Sequence, residues 1–436
     1  MSVRPRTVGG MGRVRSAFVT TVSGLPPAFW WLWAGTLVNR AGAFVLPFLA
    51  FYLTDELALS PSFVGLVLAA FGLGSVVAAI GGGDLADRFG RRPVLLGSQL
   101  ATAANLVALG LTTDRTLVLV LVALLGLTSN TSRPAFAAMT ADIVPQADRV
   151  RAFSLNYWAI NLGFAIAPAL AGLLATSGYL MLFLVDAGTT LVFAVLIFLR
   201  VPESRPEVHG TGGRAAGSMT DVLHDRVFLS FVVLVFGFAV VFMQHLSALP
   251  VQMRDDGLLP SQYGAVIALN GALIVLVTVP LTRWLQRFPS SRVLAASGVF
   301  VGLGFGATTW ASTPMEYAGT VAVWTVGEVI GAAIGPAVVA NLSPAALRGR
   351  YQGVFGFSFA LAAMVAPLAG GWTYEHLGGA TLWSACAVVS FATVIGHLAI
   401  GPARERRLAE LGAVDLAATV GREVGERREV DRGLTP

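Results

Sequence analysis

The stretch Gly83-Asp84-Leu85-Ala86-Asp87-Arg88-Phe89-Gly90-Arg91-Arg92 decides how this chain is read. Five charged residues and two glycines stand between two long apolar runs, at about 62–82 and 93–112. Each run can cross a ~30 Å hydrocarbon core as a helix, so the charged stretch is a loop at one membrane surface. Working outward, similar runs recur at about 27–53, 115–140, 150–175, 178–200, 226–250, 261–282, 292–311, 314–340, 350–374 and 378–401, making twelve. The composition agrees, with 55% hydrophobic and 12% charged residues and a mean hydropathy of +0.73, beyond soluble norms. In lipid each segment must satisfy its own backbone polar groups, and the alternating pattern of a barrel strand is absent. The fold class expected is all-α: a polytopic membrane protein with twelve transmembrane helices.

The arginines set its orientation. All 29 basic residues are arginine. With a cytoplasmic N-terminus, Arg115 and Arg254 fall in outside loops and Arg40 and Arg133 fall within spans. The other 25 lie at inside ends, inside loops or termini, which by the positive-inside rule puts both termini in the cytoplasm of a cell (inner) membrane. Arg4, Arg6, Arg13 and Arg15 precede the first run, but that run is too long for the core of a cleaved signal peptide. The pI near 9.9 reflects basic residues spread along one membrane face, not a nucleic-acid surface. The absence of lysine removes a P-loop, and a single cysteine, Cys386, removes an intrachain disulfide or Cys/His metal cluster. No metal, cofactor or enzymatic site is expected, because no Ser/His/Asp set or pair of catalytic carboxylates falls in one membrane layer.

Shifting the chain by 199 residues aligns its two halves without a gap. Pro61, Ser62 and Gly65 fall on Pro260, Ser261 and Gly264; Arg88-Phe89 on Arg287-Phe288; Val94-Leu95 on Val293-Leu294. Pro145, Arg149, Arg151, Pro168 and Gly172 fall on Pro344, Arg348, Arg350, Pro367 and Gly371. Six spans is an even number, so the two pseudo-symmetric six-helix halves lie parallel. The organisation expected is a cytoplasmic segment 1–26, a first half 27–200, a linker 201–225, a second half 226–401 and a charged tail 402–436. The linker's 218–225 part reads as a short surface helix. The tail carries seven arginines against seven acidic residues and reads as a solvated or partly disordered helix. One chain holds both halves, so a monomer is expected.

Two parallel six-helix halves with this loop resemble the major facilitator superfamily over nearly the whole chain. Gly83-x-x-x-Asp87-Arg88-x-Gly90-Arg91-Arg92 is similar to that family's signature between helices 2 and 3. In the second half Arg283, Arg287, Phe288 and Arg292 remain, while the glycine and aspartate positions hold Thr282 and Gln286. The resemblance implies a latch that breaks when the transporter changes state, made of Gly83, Asp87, Arg88, Gly90, Arg91 and Arg92. Asp142, at the end of span 4, is expected to face Arg88 or Arg92. The glycines allow a tight turn, and Asp87 at a helix end can meet a helix N-terminus or an arginine. In span 5, Gly163-x-x-x-Ala167-Pro168-x-x-Ala171-Gly172 is similar to the family's antiporter motif, with alanine at two glycine positions; small residues so spaced also serve helix packing. Span 4 has Asn130-Thr131-Ser132-Arg133-Pro134 in place of the usual mid-membrane arginine motif of drug/proton antiporters.

The resemblance further implies that spans 1, 4, 7 and 10 line a central cavity, and each carries one ionisable residue: Arg40, Arg133, His245 and Glu328. A charge at mid-bilayer costs ~2.5–3.5 kcal/mol on the insertion scale, so it faces the protein and marks a pathway. Two roles are open to Glu328: a proton carrier, or the static partner of Arg40 or Arg133. A buried carboxyl can exchange protons, whereas arginine stays protonated. Arg40, beside Asn39, is a partner or anion contact; Arg133 can reach the cavity or snorkel toward the latch. Asn130 and His245 complete the cavity set, and Asp186 in span 6 reads as an interhelical hydrogen-bond partner. Two arginines against one glutamate leave a neutral-to-positive cavity, which disfavours lipophilic cations. The expectation is a secondary transporter driven by the proton gradient, exporting small organic amphiphiles through the lipid bilayer by antiport. The alternatives are nutrient uptake or facilitated diffusion, and, more remotely, a non-transporting receptor or assembly factor.

Overall fold

The computed structural model describes residues 24–145, 148–204, 219–285, 287–344 and 347–433. Among them twelve helices are long and apolar enough to cross a membrane. We number them as spans 1–12: Pro27–Glu56, Pro61–Gly82, Arg91–Leu111, Arg115–Ile143, Arg151–Ala175, Leu180–Arg200, Arg226–Asp255, Pro260–Thr278, Ser290–Trp310, Pro314–Leu342, Arg350–Leu377 and Gly379–Arg407. No strand occurs among the described residues. Several spans begin at a residue able to cap them. Ser60 accepts from the Phe63 N–H ahead of Pro61, Asp114 from Leu117, and Asp225 from Phe228. Thr313 and Glu316 form a reciprocal capping box; each such cap is worth ~1 kcal/mol. A short helix, Met219–His224, leads into span 7, and the helix of span 12 continues unbroken to Gly433.

The first span of each half is interrupted in mid-membrane. Span 1 is split at Gly42–Phe44 between the helices Pro27–Ala41 and Val45–Phe51. A restarted helix has N–H groups without partners of its own, and the Val45 N–H donates to the buried Asp186 carboxylate of span 6 at 3.1 Å. Span 7 is split by the tight turn Met243–His245. There the buried Gln244 amide donates to the Ala366 carbonyl of span 11 and accepts from Ser247, both at 2.9 Å. Apolar residues run through the break in span 1, and the polar Gln244 and His245 in that of span 7 are too few to end an apolar run, so the hydropathy pattern reads each span as one helix.

The halves meet along two seams, span 2 on span 11 and span 5 on span 8. A Cβ on Gly65 would overlap the Pro367 carbonyl; one on Gly264 would overlap the Pro168 carbonyl. Gly371 and Gly172 complete the pairs against Gly65 and Gly264. This is one contact made twice, related by the 199-residue repeat. In lipid no hydrophobic drive joins helices, so close backbone approach at glycine supplies the attraction. Spans 1, 4, 7 and 10 each pack on a seam helix: span 1 on span 5, span 4 on span 2, span 7 on span 11 and span 10 on span 8.

Polar contacts between the halves gather at one end, here called distal to the arginine-rich end that carries residues 83–92. The last turn of span 1 widens into a π-helical turn, Tyr52–Glu56, and presents Asp55 to Arg254 of span 7, with Nε at 2.7 Å from Oδ1. The Ser62 N–H donates to Glu375 at 2.7 Å, and the buried Tyr263 hydroxyl donates to the Pro47 carbonyl at 2.9 Å. The Tyr179 hydroxyl donates to Asp55 at 2.9 Å; burial and that carboxylate push the phenol's pKa above its ordinary value, so it remains the donor.

Candidate transport site

The first half contributes two arginines. Arg40 sits just before the break in span 1, and Gly163 of span 5 packs so closely there that a Cβ would overlap the Arg40 side chain. On span 4, Leu117, Val120 and Leu124 form an exposed apolar stripe. Arg133 comes nine residues, or two and a half helical turns, after Leu124 and so lies on the side of the helix opposite that stripe. It is exposed there. The two guanidiniums are near enough to repel each other, and Asp186 attracts Arg40. That carboxylate is engaged by the Val45 N–H, and among the described residues neither arginine forms an ion pair. The Arg40 Nε is buried without a hydrogen-bond partner.

The second half contributes Glu328. Its carboxylate accepts from the Asn270 amide of span 8 at 2.7 Å, and the same amide reaches Thr325 at 2.9 Å. No salt bridge links it to Arg40 or Arg133, so the static-pair role open to it from sequence is not what the structure forms. Glu328 stands in the wall of a cavity of about 240 Å³ lined by Tyr157, Ile274, Thr278, Thr282, Val329, Ala332 and Ala333. Tyr157 belongs to span 5 of the first half and is 53% exposed, so this cavity is built from both halves. A carboxyl held by a neutral amide can take and release a proton without breaking a salt bridge; arginine cannot serve that role.

Three residues expected on the cavity are used in packing instead. The Asn39 amide donates to Thr190 of span 6 at 2.9 Å. The Asn130 amide donates to Ser75 of span 2 and to the Gly126 carbonyl, each at 2.9 Å. His245 lies in the turn that breaks span 7, its Nδ1 at 2.6 Å from the Phe242 carbonyl and its ring against Phe242 and Trp324. In span 5, Gly163 meets span 1, Gly172 meets span 8, and Ala167 and Pro168 are buried. The motif is a two-sided packing surface.

The latch differs from the expected pairing. Asp142 is bound by Arg91, not by Arg88 or Arg92. Arg88 pairs with Asp84 one turn back, at 2.9 Å, and Arg92 donates to the Phe198 carbonyl while stacking on its ring. The reason is the turn at Gly90, with φ +95°, which aims Arg91 at span 4. The side chain of Asp87 and the surroundings of Gly83 lie outside the described residues. Glu203, at the start of the linker, accepts from the Arg91 and Arg92 N–H groups at 3.1 and 3.2 Å. A carboxylate at a helix N-terminus satisfies orphan donors and opposes the helix dipole. A Cβ at Gly90 would crowd that carboxylate, at 2.9 Å.

A family model described as Major Facilitator Superfamily matches residues 32–258 and 245–424. The chain belongs to the major facilitator superfamily. Its relatives include a "Na(+), Li(+), K(+)/H(+) antiporter" of Planococcus maritimus, 28% identical over 383 residues that cover 78% of this chain and 90% of the relative. The multidrug resistance protein MdtH of Aeromonas hydrophila is 25% identical over 349 residues, covering 80% and 87%. In fold the transporter is similar to the nucleoside transporter NupG, with a TM-score of 0.74, 14% identity and coverage of 86% of this chain and 99% of that one. These proteins are transporters, and this chain is a transporter and not an enzyme. The repeat and the signature loop made that legible in sequence. Missed were Asp55, Arg254, Tyr157 and Glu203. The Asp55–Arg254 pair had a signal, since the two are separated by one repeat length.

Proposed function

We propose that this transporter is a proton-coupled antiporter that exports small organic amphiphiles, with its arginine-rich end and both termini in the cytoplasm of the cell membrane. Glu328 carries this reading: a carboxyl in the cavity wall, held by Asn270 alone. Rocking about the two glycine seams exposes it alternately to either side. The Asp55–Arg254 contact holds the distal end closed, and the Arg91–Asp142 pair braces the first half while the other end is open. The relatives named for cation/proton exchange and multidrug resistance support coupling of this kind, though they differ in cargo. Arg40 and Arg133 repel a bare monovalent cation, so an organic cargo fits better.

The test uses proteoliposomes with a pH dye inside and a panel of anionic, zwitterionic and cationic amphiphiles. Cargo-dependent proton flux is expected in wild type and lost in Glu328→Gln. Cargo movement without proton flux, untouched by that substitution, would make the protein a facilitator.

A further inference from the structure

We infer that the cargo is a zwitterionic amphiphile, its anionic group held by Arg40 and Arg133 on the first half and its ammonium by Glu328 on the second. The inference rests on Glu328 as the proton carrier and names what competes with the proton there.

The structure leaves charge unanswered in each half, and span 5 joins the two places: Tyr157 lines the cavity beside Glu328 and Gly163, six residues or ~9 Å further along the helix, packs on Arg40. Arg133 repels Arg40, and Asp186, which attracts it, is engaged by the Val45 N–H; neither arginine has an ion-pair partner among the described residues, and the Arg40 Nε is buried with no acceptor. Two such guanidiniums are relieved by an anion that can accept from both. In the second half, Glu328 has one neutral amide. The groups around it are the Asn270 amide of span 8, the Thr325 hydroxyl of its own span, the Thr278 hydroxyl of span 8, the Thr282 hydroxyl on the continuation of that helix to Leu285, and the Tyr157 phenol of span 5. No charged side chain acts on it among the described residues. Ile274, Val329, Ala332 and Ala333 supply an apolar wall between the polar groups, suited to the body of an amphiphile.

Coupling selects among the charge types. A purely cationic cargo would contact Glu328 but be repelled by the arginines. A purely anionic cargo would bind better once Glu328 is neutralised, so proton and cargo would travel together, which is symport. An ammonium competes with the proton for the same carboxylate, which is the condition for exchange. Only a molecule with both charges answers both halves and also exchanges with a proton.

The test is calorimetric titration of the full chain, purified in detergent, with three probes on one skeleton. These are a biphenyl bearing an aminomethyl group at one end and a carboxylate at the other, its amine-only analogue and its acid-only analogue. The zwitterion is expected to bind at least about tenfold tighter than either analogue, releasing a proton seen as a buffer-dependent heat. Arg40→Gln and Arg133→Gln should each weaken the zwitterion and acid and leave the amine unchanged. Glu328→Gln should weaken the zwitterion and amine, leave the acid unchanged, and remove the proton release. A zwitterion no tighter than the acid or the amine overturns the inference, as does an arginine variant that leaves all three affinities as they were or lowers all three alike. The two readings fail separately. Proton release with no preference for the zwitterion sinks this inference and spares Glu328 as carrier; a zwitterion preference without proton release spares the charge assignment and sinks the carrier.

Discussion

The two halves share one fold, yet the ionisable residues of the candidate site stand in each half where the other carries no charge. One repeat length after Arg40 stands Ala239, and one after Arg133 stands Ala332, in the cavity wall beside Glu328. One repeat length before Glu328 is Ser129, an uncharged residue whose hydroxyl donates to the Leu125 carbonyl and accepts from the neighbouring Asn130 amide, both of its own helix. At the arginine-rich end the Arg91–Asp142 pair has Ser290 and Asn341 as its counterparts, and Glu203 has Pro402. The second half is fastened there by Arg404 instead, buried at 1% exposure, which donates to Ser291 and the His397 carbonyl and lies over the Phe231 ring. The glycine seams, by contrast, are the same in both halves. Symmetry is kept where the halves pivot on each other. It is lost where they handle charge, because two like-charged walls facing one cavity would repel each other and bind only one kind of ion.

The largest effects should come from breaking the symmetric part. Gly65→Leu and Gly264→Leu should each hold the seam apart and cut transport at least about tenfold, since overpacking a tight contact costs ~1–3 kcal/mol or more. Cross-linking of a cysteine pair placed at Ser62 and Glu375 would report the lost distal closure, against a buried native Cys386. An effect from one glycine and none from the other would show that the seams are not equivalent.

Next in size is the fastening of the second half. Arg404→Ala leaves the Ser291 hydroxyl and the His397 carbonyl unmatched, and should destabilise by ~2–4 kcal/mol. The reaction of Cys386 with a thiol dye on heating reads this out. Arg91→Ala should cost less, ~1–2 kcal/mol for a partly exposed ion pair, while Ser290→Ala at the equivalent place should stay within ~0.5 kcal/mol. Equal losses at the two would erase the contrast between the latches. Smallest is Asp55→Asn, at ~0.5 kcal/mol for a half-exposed pair. Salt should weaken distal closure in wild type but not in this variant.

Much of the architecture was legible in sequence because lipid imposes long apolar runs and because a duplicated chain repeats its glycines and prolines in register. Pro61, Gly65, Pro168 and Gly172 marked the repeat through their mates 199 residues on, and only the structure shows that the same positions form the seams. The break in span 1 was hidden, since Asp186 satisfies the freed Val45 N–H from another span, and the break in span 7 carries only the polar pair Gln244-His245 inside a long apolar run. Asn39 and Asn130 looked like cavity residues because composition cannot tell which helix face a side chain occupies. Glu203 went unread because its partners are backbone N–H groups, which carry no sequence signature, and the choice of Arg91 over its neighbours follows from the turn at Gly90.

The central claim is that Glu328 alone carries the exchanged proton. It is tested most directly by accumulation of the tightest-binding biphenyl probe in proteoliposomes under an imposed pH gradient, comparing wild type with Glu328→Gln. The account predicts uphill accumulation in wild type, and in the variant only downhill movement that ignores the gradient. Uphill accumulation by Glu328→Gln would contradict it.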